Sequence, residues 1–243
     1  MSHYRTRTQI ETQVRLNLDE VTASFWTAAD LQARINRAKD RVWTEVRKLK
    51  DDYFDIQRLS TDGSLTILGE SYTASSFAIV AGTRNYTLPP DVFEIRLVEV
   101  ITSNYEQIRF VYKKLTSPEH RALREITTNQ TPSVFLFDLL TLSGNPTMAI
   151  APLSNTALDL RLTYTRQLAD LSADGTELEM PHALYAAVEA YATASALLKD
   201  RAPEAAVWEQ TGNSLIAGMF GAHARQTQDP QFVESCFSEY QGW

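Results

Sequence analysis

The chain has 243 residues, 44% of them hydrophobic, and a formal net charge of −7. That is enough apolar material for one large domain or two small ones with a real core. One cysteine, Cys236, excludes an internal disulfide and a cysteine-based zinc site. No apolar run approaches the ~18 residues of a membrane span, and no charged n-region followed by an apolar stretch opens the chain. The expectation is a soluble product made in the cytoplasm.

The elements follow in chain order. Ile10, Val14 and Leu18 outline a short amphipathic helix. Thr27 then caps a longer one, in which Leu31, Ile35, Ala38, Val42, Val46, Leu49 and Tyr53 recur in steps of three or four. Arg34, Arg41, Glu45, Lys48 and Asp52 take the opposite face. This basic stretch carries Trp43, but its interleaved acids point to an ion-paired exposed face rather than a phosphate track.

The pattern changes at Asp62-Gly63, a turn pair. From there to Arg166, "SLTIL", "FAIVAG", "NYTLP", "EIRLVEVI", "IRFVYKK", "SVFLFD", "TMAIAP" and "LDLRLTYTR" read as short strands between turn signals. In the last of these, Leu158, Leu160, Leu162 and Tyr164 share one face. Ser117 and Pro118 open a short helix within the block. A third part is helical again. Leu184, Val188, Tyr191 and Leu198 form its first stripe, in an alanine-rich background that permits close helix approach. After Pro203, Trp208, Leu215 and Met219 form a second stripe. The final stretch shows no helical stripe and ends on Phe232, Phe237, Tyr240 and Trp243.

Each helical end needs a partner for its apolar stripe, and the other end is the obvious one. The predicted fold is therefore α+β: a helical bundle made from N- and C-terminal helices, an inserted antiparallel β domain and an extended C-terminal arm. The expected divisions are 1–62 and 168–223 for the bundle, 63–167 for the β-rich insertion and 224–243 for the arm. The expected bundle core comprises Leu31, Ile35, Val42, Val46, Leu184, Val188, Tyr191 and Trp208.

Signatures of catalysis are absent. There is no G-x-x-x-x-G-K-[ST], G-x-G-x-x-G or G-x-S-x-G motif. The four histidines are scattered, so no metal site is expected, and no cofactor. Glu177 and Glu179 lie close together, and paired carboxylates can do acid/base work on sugars, although acids in a linker before a helix are more often solvated. Residues 168–243 carry 3 Lys/Arg against 11 Asp/Glu, a net −8. This suits a solvated face, or a surface to which nucleic acid must not adhere. The terminal aromatics suit a tail folded on its own domain or an arm that docks on a partner.

Three stretches carry a resemblance. They are "LQARINRAKDRVW" (31–43), "AGTRNYTLPPDVFEIRLVEV" (81–100), and "LDLRLTYTRQLADL" (158–171) with the following "ELEMPHALYAAVEAYATASALLKDRAPEAAVWEQ". In this order they resemble the head-to-tail adaptor proteins of tailed double-stranded DNA phages, also called connector, neck or head-completion proteins. The resemblance implies a structural role rather than an enzymatic one. It implies a homo-oligomeric ring, generally twelve-fold, docked beneath the portal protein at the virion neck. Such a ring extends the channel through which double-stranded DNA passes without sequence-specific binding, and offers a surface to a tail or nozzle protein. No membrane is involved. Phe232, Phe237, Tyr240 and Trp243 are then expected to form a portal-binding arm. The alternatives are a tail-tube or terminator protein and, from another class, a virion-associated peptidoglycan hydrolase served by Glu177 and Glu179.

Overall fold

The computed structural model describes residues 4–20, 25–68, 70–101, 108–114, 116–118, 122–123, 132–142, 145–199 and 202–227. The fold is mixed α+β, with four α-helices and several strand sheets among these residues. Chain contacts divide it into two compact units: residues up to Asp51 together with those from Asp170 onward, and Asp52–Ala169.

In the first unit, helix α1 (Arg7–Asn17) opens on a capping box. Thr6 accepts from the Gln9 amide, and the Gln9 side chain returns a bond to the Thr6 amide. Helix α2 (Ala28–Leu49) opens on Thr27, which accepts from the Asp30 amide. Helix α3 (Tyr185–Lys199) is the central helix, touched by α1, by α2 and by α4 (Ala205–Thr227). Its alanines explain this: Ala187, Ala190, Ala192, Ala194 and Ala196 are all buried. A helix apolar on nearly every side has no solvent stripe to present and belongs inside. Ile10, Val14, Leu31, Ile35, Ala38, Val42 and Val46 supply the packing from α1 and α2.

Residues 170–180 strap this unit together. The Arg7 amide donates to Thr176 O, Leu178 N donates to Arg5 O, and Leu171 N donates to the Asn36 side chain at 2.9 Å. Asn36, beside the apolar stripe of α2, thus holds a loop that lies far away in sequence.

The second unit is built on two sheets and a hairpin. Its strands are β1 (Asp55–Leu59), β2 (Ser64–Ile67), β3 (Glu70–Thr73), β4 (Asn85–Thr87), β5 (Val92–Val100), β6 (Arg109–Tyr112), β7 (Val134–Leu142), β8 (Asn145–Ala151) and β9 (Leu160–Arg166). One sheet has the order β1-β9-β5 and the other β4-β8-β7-β6, while β2 and β3 pair alone. One core serves both sheets and the hairpin, with Phe77, Phe135, Met148, Ile150, Leu160, Leu162 and Tyr164 at its centre. The alternation along β9 is as its sequence requires: Leu158, Leu160, Leu162 and Tyr164 are all buried.

Several local readings change. Helix α2 stops at Leu49 instead of running to Tyr53, because Lys50 turns extended and residues 51–54 form turns. The stretch after it is strand β1, paired with β9 from Asp55↔Thr165 to Leu59↔Arg161. "FAIVAG" is not a strand. Phe77 ends a 3-10 turn, and only Ile79 bridges, to Leu158. Its apolar character comes from burial of Phe77 and Ile79, not from a ladder. Strand pairs are antiparallel except β6–β7, which is parallel. A parallel pair needs a long crossover, and the stretch from Lys113 to Ser133 supplies it; Pro118, Ala122 and Leu123 within it are helical.

The Pro-Pro corner moves the chain from one sheet to the other, since β4 precedes it and β5 follows. Gly82 takes φ +74°, a conformation that favours glycine. The Tyr86 hydroxyl lies 2.7 Å from Thr83 O and 3.0 Å from Val80 O, closing the turn on itself. Asp91, just past the prolines, is 3% exposed. It accepts from the Tyr164 hydroxyl at 2.7 Å, and the Arg58 Nε donates to the same Tyr164 oxygen at 2.8 Å. Burial pushes the Asp91 carboxyl above its ordinary value, against the pull of Tyr164 and Arg58. The strands β1 and β9 and the corner are pinned at one point.

Candidate assembly surfaces

No group of three or more His, Cys, Asp or Glu that could hold a metal occurs among the described residues, and no described helix is long and apolar enough to cross a membrane. Glu177 and Glu179 sit on the strap. Glu177 bridges Thr6 through its backbone, and the acids flank Leu178, which with Met180 is buried. The alternation turns the apolar side chains inward and leaves Glu177 half-buried and Glu179 exposed. Local packing therefore accounts for their spacing.

The acidity of the last third has a structural use that the linear charge count conceals. Asp170 pairs with Lys39 at 2.7 Å and Glu209 with Arg41 at 2.5 Å. Asp174 pairs with Arg7 and Glu189 with Arg5. In every case the cation comes from residues 1–51, which carry 10 Lys/Arg against 7 Asp/Glu. The two sequence-distant parts of the unit are electrostatically complementary. Glu189 is buried, which raises its pKa, while Arg5 pulls it down. Lys39 is only 1% exposed, and its stem fills the core while its ammonium reaches out to Asp170.

The expected core positions Leu31, Ile35, Val42, Val46, Leu184, Val188 and Tyr191 lie buried, and Trp208 is half-buried. On α4 the inward face is Ala205, Gly212 and Ile216 rather than the stripe Trp208, Leu215 and Met219. Small residues turn inward because α3 lies close: a Cβ on Gly212 would stand 2.7 Å from the Tyr191 ring. The Arg41 guanidinium stands over the Tyr191 ring, 4.3 Å from its centroid, and the Tyr191 hydroxyl bonds Asn213 at 2.6 Å.

The bulk displaced from that contact faces outward. Val207 is 64% exposed, and with Gln210, Thr211, Ser214 and Leu215 it lines a shallow uncharged depression of about 360 Å³. No Lys or Arg occurs from Ala202 to Ala224. This face is an apolar patch that the described residues leave uncovered. Helix α4 continues to Thr227, so the first residues of the expected arm are helical. Phe232, Phe237, Tyr240 and Trp243 lie outside the described residues.

A second surface lies in the strand unit. Strands β5 and β6 are edge strands of different sheets, and between them runs a groove of about 610 Å³. Leu97, Ile101, Val111 and Tyr112 are exposed along these strands, 37–54% each. No sequence signal marks this groove, because both strands read as ordinary members of a sheet.

Among curated proteins, none matches the chain. The family model described as SU10 adaptor protein matches residues 5–233. That span takes in helices α1 to α4, both sheets and the strap, and the chain belongs to the SU10 adaptor protein family, in keeping with its resemblance to phage head-to-tail adaptors.

Proposed function

We propose that this protein is a structural neck component of a tailed phage, assembling as a homo-oligomeric ring between the portal and the tail. The family match over residues 5–233 carries the reading. Twelve copies, the usual number for the resemblance, extend the DNA channel and offer the attachment surface for a tail or nozzle protein. The exposed, uncharged face of α4 supports self-association, since Val207 and Leu215 are left uncovered by the described residues. DNA passes without being gripped. Phosphate affinity comes from clustered Lys and Arg, and much of the basic face of α2 is already engaged: Lys39, Arg41, Arg47 and Lys48 all have carboxylate partners.

The test is co-assembly. Purified protein mixed with portal particles should form a portal-bound ring visible by electron microscopy, of one defined copy number. Failure to join portal under conditions where tail components bind would replace this reading with the tail-terminator one. Failure to bind either would overturn both.

A further inference from the structure

The β2–β3 hairpin carries at its tip a residue that suits neither the turn nor the solvent. Ile67 pairs with Glu70, so the loop is two residues long, Leu68-Gly69. Such loops ordinarily place asparagine, aspartate or glycine where φ is positive. Leu68 instead takes φ +53°, and its side chain is 40% exposed. A bulky side chain held in the left-handed region is an outlier that points to a use for it. The base of the hairpin is firm. Ile67 and Tyr72 are buried in the strand core, the Tyr72 hydroxyl donates to Thr87 O at 2.9 Å, and the Ala74 amide donates to Gly63 O at 2.8 Å. Glu70, beside the tip, is exposed and has no cationic partner among the described residues.

The complementary feature belongs to the helical unit. A recess of about 200 Å³ is lined by residues of α2, α3 and α4. Its apolar lining includes Ala38 and Ala194, both buried, and Leu198, which is 62% exposed. Its charged lining is Arg37, Arg41 and Glu209, and Glu209 already pairs with Arg41. Arg37, exposed, has no carboxylate partner among the described residues, so the recess holds one uncompensated positive charge. Its volume falls below the ~300 Å³ at which small-molecule sites begin, and suits an inserted side chain. A leucine on the flank of a helix, such as the exposed Leu16 of α1, cannot enter a recess of this size without the helix following it. A leucine at the tip of a two-residue loop can.

We infer that the β2–β3 tip of one copy docks in the α2–α3 recess of the next, with Leu68 against Ala38, Ala194 and Leu198 and Glu70 against Arg37. Tip and recess are different surfaces, so the contact is heterologous, and repeated from copy to copy it closes into a ring when the rotation allows. The inference rests on the self-association proposed above and names one contact that provides it. Apolar burial supplies affinity, and the ion pair fixes the register.

Two readouts on the full-length chain test this contact, each for the protein alone at high concentration and for portal-bound particles. In the first, Leu68→Cys copies are mixed with Leu198→Cys copies, treated with a short bismaleimide and mapped by mass spectrometry, which separates links of the native Cys236. The two introduced thiols are on different copies, so any link between them joins two chains. Links between positions 68 and 198 should exceed those from a Val80→Cys control, exposed in the same unit, at least tenfold in one or both arms. Arg37→Glu in the Leu198→Cys copy should cut that yield several-fold, and Glu70→Arg in the Leu68→Cys copy should restore it, a rescue that misfolding would not show. In the second, Leu68→Asn, which suits both turn and solvent, should raise the thermal midpoint of the free chain yet raise several-fold the concentration needed for ring assembly on portal. Yields equal to the control in both arms, or a Leu68→Asn chain that assembles as readily as the native one, would overturn the inference. A portal-bound ring lacking the 68–198 links would do so while leaving the neck assignment in place. Links between 68 and 198 in a chain that never joins portal would uphold the contact and remove that assignment.

Discussion

Replacing Gly212 with alanine tests the contact between α3 and α4. In isolation the change favours the helix by about 1 kcal/mol, because alanine loses less backbone entropy than glycine. Here the new methyl would meet Tyr191 carbons at 2.7–2.9 Å, where ordinary contact begins near 3.4 Å. The ring would have to retreat by about 0.7 Å. It is 2% exposed, and the Arg41 guanidinium is packed on it at 4.3 Å. Retreat strains the 2.6 Å bond to Asn213, and overpacking of this kind costs about 1–3 kcal/mol. With the hydrogen bond weakened as well, the sum is a net loss of about 1–2 kcal/mol. Gly218 on the same helix is the control: it is exposed and a Cβ there meets nothing within 4 Å. Gly218→Ala should therefore stabilise, by up to about 1 kcal/mol. All four tryptophans (26, 43, 208 and 243) lie outside Asp52–Ala169, so urea unfolding followed by tryptophan fluorescence reports the helical unit. Equal shifts of the same sign for the two variants would refute the close-approach argument.

Further predictions concern the strand unit and the acids of the strap. Burial pushes the Tyr86 phenol up to about 12, so its neutral form stabilises the fold fully below pH 10 and that contribution is lost as pH rises toward 12. Tyr86→Phe should cost about 1 kcal/mol at neutral pH and remove part of the alkaline loss, measured as urea midpoints by circular dichroism from pH 8 to 12. Tyr164→Phe and Asp91→Asn should each destabilise by about 1–3 kcal/mol, and the double variant by less than the sum, since one bond joins them. Additive losses in a double-mutant cycle would count against that pairing. Because the folded Asp91 carboxyl titrates above 3.8, its contribution is present below that pH and falls as pH rises through the folded value; Asp91→Asn should therefore cost more near pH 4 than at pH 7. Glu177→Gln with Glu179→Gln should leave portal co-assembly unchanged and produce no change in a cell-wall digestion assay, whereas loss of a measurable digestion activity would revive the hydrolase alternative.

Much of the architecture was legible in residue order because it rests on local periodicity. Steps of three and four outlined α1, α2 and α3, and strict alternation marked β9, since each buries one side of a regular element. The same logic misled where a pattern was accidental. Tyr53 continued the step of α2 after the helix had ended, and "FAIVAG" was apolar without being paired. Strand β3 escaped notice because only Tyr72 in it is buried.

Other features depend on pairs that are remote in sequence. Arg5, Arg7, Lys39 and Arg41 find their carboxylates from 131 to 184 positions away, so a charge count along the chain shows an acidic third where the folded unit shows complementary halves. The buried face of α4 was decided by how near Tyr191 comes, which made Gly212 and Ala205 inward residues and turned Val207 out. The open edges of β5 and β6 exist because each strand pairs in a different sheet, a choice made by long-range hydrogen bonds rather than by either strand's own residues. Local sequence determined which segments became helix or strand. Tertiary structure decided which charges cancel and which apolar faces and strand edges remain exposed, because those are properties of partners rather than of segments.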